Sequence, residues 1–225
     1  MQDRPRRPPV TDWATDWDHL DPQWRDDPYP IWDHLRRTCP IAHTDRYLGA
    51  YLQTSHSAMK AIVYDTESFS SRRVVVRESR PKLFPSPPIT SDPPEHRAAK
   101  LVLLPPFTPA EIKKFEPKAR AVCNDLIDKF IGDGRCDAAQ QYSRHIPVRI
   151  IALMLGVPES DGEIFIRWIH EILELGITDD TIMMKALGEM TQYFAEFVEE
   201  RTKKPGEDLI SRIIMAGKSG EPLPP

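Results

Sequence analysis

The sequence predicts a mainly α-helical fold with one small β-hairpin. Three observations carry that expectation. Beyond Pro109, apolar residues recur at spacings of three and four, the signature of a helix with one face in a core. Around Gly49, "IAHTDRYLGAYLQT" alternates apolar and polar residues about a turn, as the strands of a hairpin do. The 23 prolines crowd into residues 1–117 and the last few positions, while 118–204 holds only two, which divides the chain into an irregular first half and a helical second half.

Taken in order, residues 1–27 read as an extended arm rich in Pro, Trp and Asp. "PYPIWDHLRRT" follows, with prolines suited to a helix start and Ile31 and Leu35 at helical spacing. After the hairpin, Thr54 or Ser55 is placed to cap "SHSAMKAIVYD", with Ala58, Ile62 and Val63 facing inward. Residues 65–91 form a long proline-rich loop with apolar clusters at Val74, Val75, Val76 and Ile89; a loop of that length within a domain is usually functional or disordered. From Pro109 the stripe Ile112, Phe115, Val122, Leu126, Ile127 and Phe130 is helical, with Pro117 either kinking it or opening a second helix. "YSRHIPVRIIALMLGV" is apolar nearly all round and reads as a central buried helix ending at Gly156. Two amphipathic helices follow, "SDGEIFIRWIHEILELG" and a longer one striped by Met183, Leu187, Met190, Phe194 and Phe197. "GEDLISRIIMA" is a last short helix.

Composition narrows the function classes. The net charge of −4 argues against a general nucleic-acid binder, and the longest apolar run, Ile150 to Leu155, is far too short for a membrane span. The basic N-terminus is followed by no apolar segment, so it is not read as a secretory signal. Three cysteines, Cys39, Cys123 and Cys136, have no metal-type spacing and are odd in number, which suits a cytoplasmic protein with unpaired thiols. There is no glycine-rich phosphate loop, no G-x-S-x-G elbow and no H-E-x-x-H zinc site. His34, His43, His56, His145 and His170 are scattered singly.

The most informative stretch is "SDPPEHRAAK", Ser91 to Lys100. Asp92 suits an N-cap, Pro93 and Pro94 fill positions whose N–H groups have no intrahelical partner, and Glu95 stands three residues after the cap, as in a capping box. His96 and Lys100, four apart, project from one face, with Arg97 about 100° round. Such a pair can grip a carboxylate or phosphate, or can simply be a solvated basic patch.

"SDPPEHRAAKLVLLPPFTPAEI" resembles the segment of bacterial cytochromes P450 that reads D-P-P-E/D-H-x-x-x-R, then an apolar stretch, then F-T/S-P; the match is Asp92 to His96, then Phe107, Thr108 and Pro109. Further segments resemble the same family in the same order: "DPYPIWDHLRR", the hairpin, "FSSR" at Phe69 to Arg72, "LMLGVP" at Leu153 to Pro158, and "GEDLISRII". The resemblance runs from about residue 22 onward. It implies the N-terminal portion of the P450 fold: an arm over 1–27 and an incomplete domain over 28–225, divided into 28–91, a helical portion 92–216 and a tail 217–225.

The resemblance implies a role for each residue. His96 and Lys100 would hold the haem propionates, with Arg97 sharing the task because Lys100 replaces the arginine usual there. Val74, Val75, Val76 and Ile89 in the loop, and Ile169, Ile172 and Leu173 on a later helix, would line the substrate pocket. The complete enzyme would use haem (iron protoporphyrin IX), a ferredoxin-type or flavin-type electron donor and an apolar small-molecule substrate, inserting one oxygen atom from dioxygen. The family's iron-binding cysteine stands in a glycine-rich loop, a setting that none of Cys39, Cys123 or Cys136 shares, and its long oxygen-activating helix has no counterpart here. The expectation is therefore an N-terminal half, inactive as a mono-oxygenase by itself, as a truncated gene, a gene fragment or one half of a split protein with a C-terminal complementing half would give. Two other readings stand beside it: a helical module binding a small apolar ligand without redox chemistry, and an interaction protein whose helical half packs on a partner.

Overall fold

The computed structural model describes residues 7–77 and 85–218; the end of the expected tail, from 219, and residues 78–84 of the loop lie outside the described residues. The chain divides into two compact units, Met1–Pro93 and Pro94–Pro225. The first contains the hairpin and three helices; the second is helical.

In the first unit, α1 (Pro22–Asp26) is started by Asp21, whose carboxylate accepts the Gln23 N–H, with Pro22 at the first position. Helix α2 (Tyr29–Thr38) buries Ile31 and Leu35, the pair its spacing predicts. Strands β1 (Ile41–Thr44) and β2 (Ala50–Gln53) pair antiparallel, with Ala42 opposite Leu52 and Thr44 opposite Ala50 on the inward face. The connecting turn holds Tyr47, Leu48 and Gly49 all at positive φ (59°, 65° and 82°), a conformation costly for the first two and persisting only where surroundings impose it. Those surroundings are the N-terminal stretch. The buried Asp18 accepts hydrogen bonds from the Tyr47 hydroxyl, from Arg7 at 3.0 Å and from Arg46 at 2.7 Å, while Arg46 also grips Asp16 with two bonds of 2.6 Å. Trp17, Ile31, Leu35, Ala42 and Tyr47 form the core, with Trp13 and Trp24 packed against it. Helix α3 (His56–Tyr64) is capped by Ser55, one of the two candidates. Ala58 and Ile62 are half-buried, but Val63 is 67% exposed, against the inward position expected of it.

The second unit begins with α4 (Glu95–Leu103). Pro117 opens a new helix rather than kinking an old one: α5 (Pro109–Lys113) stops short of it and α6 (Glu116–Asp128) carries it in its first turn, burying Val122 and Leu126. Ahead of α7 (His145–Leu155) lies a π-helical turn, Ala139–Ser143. Val148, Ala152 and Met154 of α7 are buried, whereas Ile151 is 37% exposed, so the helix is covered on one side and not all round. Helices α8 (Gly162–Leu173) and α9 (Asp180–Lys203) pack on each other, α8 packs on α7, and α10 (Leu209–Lys218) packs on α9, α7 and α4. Their shared core is Val148, Ala152, Val157, Phe165, Ile166, Trp168, Ala186 and Ile210. Met183, Met190, Phe194 and Phe197 keep to the inner side of α9, as its stripe predicts, joined by Ala186 and Tyr193.

Two of the family-like segments meet at one clasp. Gly156 ends α7 at φ +71°, and the Arg201 guanidinium donates to its carbonyl at 3.1 Å and to Asp208 at 2.7 Å. Asp208 in turn accepts the Ser211 N–H at the start of α10. "LGVP" and "GEDLIS" thus describe two sides of one contact.

Candidate functional site

Helix α4 starts differently from expectation. Its N-cap position is Pro94, with no side-chain cap bond, and Asp92 lies outside the helix. The reason is chemical. Pro93 and Pro94 carry no N–H, so the Glu95 N–H is the one donor of that first turn within reach of an Asp92 cap. Asp92 instead accepts from the Ser70 hydroxyl (2.6 Å) and the Ser71 N–H (2.7 Å), and its Oδ2 lies 3.2 Å from Arg72 Nε. These donors hold Asp92 below the usual carboxylate range, the Ser70 bond foremost. The helix start is fixed by the two prolines and by the Pro94 carbonyl, which accepts from Arg97 N–H (3.0 Å) and Ala98 N–H (3.2 Å).

Around α4, at about 100° per residue, Ala99 marks the covered side and is 3% exposed. His96 is half-buried at the edge of that side, and Lys100 and Arg97 are exposed. Leu104 and Leu101, 51% and 58% exposed, continue the same arc. One open side of α4, roughly 140° wide, thus carries His96, Lys100, Leu104, Arg97 and Leu101. Among the described residues, no carboxylate pairs with His96, Arg97 or Lys100, although other basic side chains of this unit are paired, such as Lys114 with Glu111 (2.5 Å) and Arg212 with Glu111 (3.2 Å). Cations without internal partners beside exposed leucines match a ligand with an acidic edge and an apolar body. A porphyrin is such a ligand, and the residues present fit it. The sequence points to the three cations; the leucines it leaves unmarked, because an exposed leucine in a helix reads as a core residue until its neighbours are known.

The expected pocket residues fall in both units. In the first, Val74, Val75, Val76 and Ile89 are 53%, 48%, 43% and 63% exposed. In the second, Ile169 and Leu173 are 45% and 59% exposed on α8, while Ile172 packs against the helical core. A separate groove between α6 and α7 includes none of these residues. Its charges are already matched, Arg149 lying 2.7 Å from Asp125 and 3.2 Å from Glu159.

The cysteines stand apart from one another. The Cys39 thiol donates to the Ile41 carbonyl at 3.2 Å, Cys123 is half-buried on α6, and Cys136 is exposed in an irregular stretch. Among the described residues, no group of three or more His, Cys, Asp or Glu side chains could hold a metal ion. Nor is any helix among them long and apolar enough to cross a membrane.

No protein-family model matches the chain. Curated relatives do: the mycinamicin IV hydroxylase/epoxidase of Micromonospora griseorubida is 27% identical over 187 residues, covering 81% of this chain and 47% of that protein. The erythromycin C-12 hydroxylase of Saccharopolyspora erythraea is 33% identical over 187 residues, 80% of this chain and 46% of that protein. Among solved structures, CYP109E1 from Bacillus megaterium in complex with testosterone superposes with a TM-score of 0.76 at 27% identity, over 88% of this chain and 53% of that one. A mutant of P450 EryK in complex with erythromycin B gives 0.71 at 31% identity, over 88% and 52%. The chain is similar over most of its length to bacterial cytochromes P450, and its mainly helical fold with one small hairpin matches about half of theirs. It spans about half the length of the curated relatives it matches.

Proposed function

We propose that this chain supplies the cofactor-edge and substrate-side elements of a haem-thiolate mono-oxygenase, which in complete form inserts one oxygen atom from dioxygen into an apolar small molecule. The observation that carries the reading is the open side of α4, where three cations lack a carboxylate beside two exposed leucines. In this reading His96 and Lys100 would hold the haem propionates by charge-assisted hydrogen bonds, Arg97 would share the load, and Leu101 and Leu104 would offer apolar surface to the rest of the group. Haem, when bound, supplies the dioxygen chemistry. The protein's own part is to orient it and shape the space beside it.

Val74, Val75, Val76 and Ile89 of the first unit and, separately, Ile169, Ile172 and Leu173 of the second are the candidate substrate contacts. The exposure of all but Ile172 and the names of the relatives support an apolar substrate: two are hydroxylases, and one solved relative holds testosterone. The electrons come from a ferredoxin-type or flavin-type donor, and the protein works in the cytoplasm, where its three free thiols persist. The cysteine that would bind the haem iron would be supplied by a complementing C-terminal half. By itself the chain shows no mono-oxygenase turnover, because Cys39, Cys123 and Cys136 are engaged in or exposed from ordinary secondary structure. A ferrous–CO Soret band of the thiolate type in the purified chain would contradict this.

Haemin titration followed in the Soret region tests the edge assignment. Saturable uptake is expected, weakened about tenfold by His96→Ala and by Lys100→Ala. Unaltered uptake in the double variant would overturn it.

A further inference from the structure

Two segments that family likeness leaves unexplained, "FSSR" and the aspartate of "DPPE", are joined by hydrogen bonds. We propose that Asp92 is a latch that closes the base of the 72–91 loop: its carboxylate ties the loop's exit to the three residues at its entrance. Ser70 Oγ–H donates to Oδ2 (2.6 Å), Ser71 N–H donates to Oδ1 (2.7 Å), and Arg72 Nε lies 3.2 Å from Oδ2. Ser70 Oγ also accepts the Arg72 N–H at 3.2 Å, which locks the serine rotamer that reaches the carboxylate. Both carboxylate oxygens are thus used on three consecutive residues, about twenty positions earlier in the chain. The exit side is itself ordered. Ser86 N–H donates to Thr90 Oγ1 (2.7 Å), and Thr90 N–H to the Ser86 carbonyl (3.1 Å).

Closing a loop at its base fixes the direction in which its first and last residues leave, at a closure cost that grows only slowly with length. Val74, Val75 and Val76 begin two residues after the latch, so their position follows it directly. The bonds are charge-assisted, the stronger class, and the Asp92 side chain is only 20% exposed. That the loop lies over a substrate rests on the proposed function; the latch does not, and its test needs no haem.

Limited trypsin digestion of the full chain reads the latch, because cleavage tracks the open population when opening is fast. Cleavage after Arg73 is expected to rise about tenfold in Asp92→Ala and also in Ser70→Ala. The double variant should rise no further than Asp92→Ala alone, since that change already removes the Ser70 bond. Asp92→Asn, which keeps one acceptor oxygen, should fall between Asp92→Ala and wild type. Cleavage after Arg135 and Lys203 should stay constant throughout. Unchanged cleavage after Arg73, additive effects, or a parallel rise at Arg135 and Lys203 would each overturn the latch, the last by showing that Asp92 merely stabilises the whole chain.

Discussion

Replacing Gly156 with alanine tests how rigidly the helical unit is clasped. The residue sits at φ +71°, where an alanine costs about 1–2 kcal/mol. A Cβ there would also lie 2.5 Å from Asp208 Cβ and 2.9 Å from its Cγ, far inside contact distance. These are not atoms at the end of a flexible side chain. Asp208 is held by Arg201 at 2.7 Å and by the Ser211 N–H at 2.8 Å, and the Arg201 and Asp208 side chains are only 16% and 12% exposed. Moving Asp208 therefore loosens a sheltered ion pair and the start of α10 together, adding about 1–2 kcal/mol when the pair is strained rather than lost. The total is about 2–4 kcal/mol. With a urea slope of about 1–3 kcal/mol per M, the midpoint of the second unit's transition should fall by about 1–2 M. Circular dichroism at several urea concentrations measures it. Gly156→Asn, which tolerates the left-handed region, should recover about 1 kcal/mol and retain the steric part. A midpoint within about 0.3 M of wild type for Gly156→Ala would refute the reasoning, since it would mean that Asp208 yields freely.

Further expectations concern other sites. Gly188 lies inside α9, and a Cβ added there would meet nothing within 4 Å, so the sign should be opposite: Gly188→Ala is expected to stabilise by about 0.5–1 kcal/mol in the same urea assay. Burial pushes the Asp18 carboxyl up, but bonds from the Tyr47 hydroxyl, the Leu20 N–H and Arg7 outweigh it and hold it below the usual range. A depressed folded value means that its stabilisation is complete above about pH 4 and is lost as pH falls through that lower value. Urea midpoints read by tryptophan emission should therefore separate wild type from Asp18→Asn at pH 7 and converge as pH falls through that lower value, and a gap that persists in acid would contradict the linkage. Arg46→Lys should destabilise the first unit by about 1–3 kcal/mol, because an ammonium cannot reproduce the two-pronged bond to Asp16 while also reaching Asp18. Lys100→Arg should tighten haemin uptake a few-fold by restoring a forked donor, and a weaker complex would count against the propionate assignment.

The helices were legible because each rests on local terms. The stripe on α9, the proline at the start of α6 and the buried pair on α2 follow from spacing and backbone chemistry within a dozen residues. The hairpin was legible from its alternation, but its turn was not. Tyr47 and Leu48 take left-handed angles because Asp18 and Arg46, some thirty residues apart, fasten the turn to the N-terminal stretch. Val63 was misplaced for a related reason: periodicity says which residues share a face, not whether anything covers it.

The site divides in the same way. The sequence by itself determined that His96 and Lys100 share one face of α4, because a four-residue step leaves a helix little choice, but it placed the helix start two residues too early. Only the tertiary structure decided what Asp92 does. Its carboxylate can satisfy a helix end or a distant serine equally well, and the outcome depends on which N–H and O–H groups folding brings within hydrogen-bonding reach.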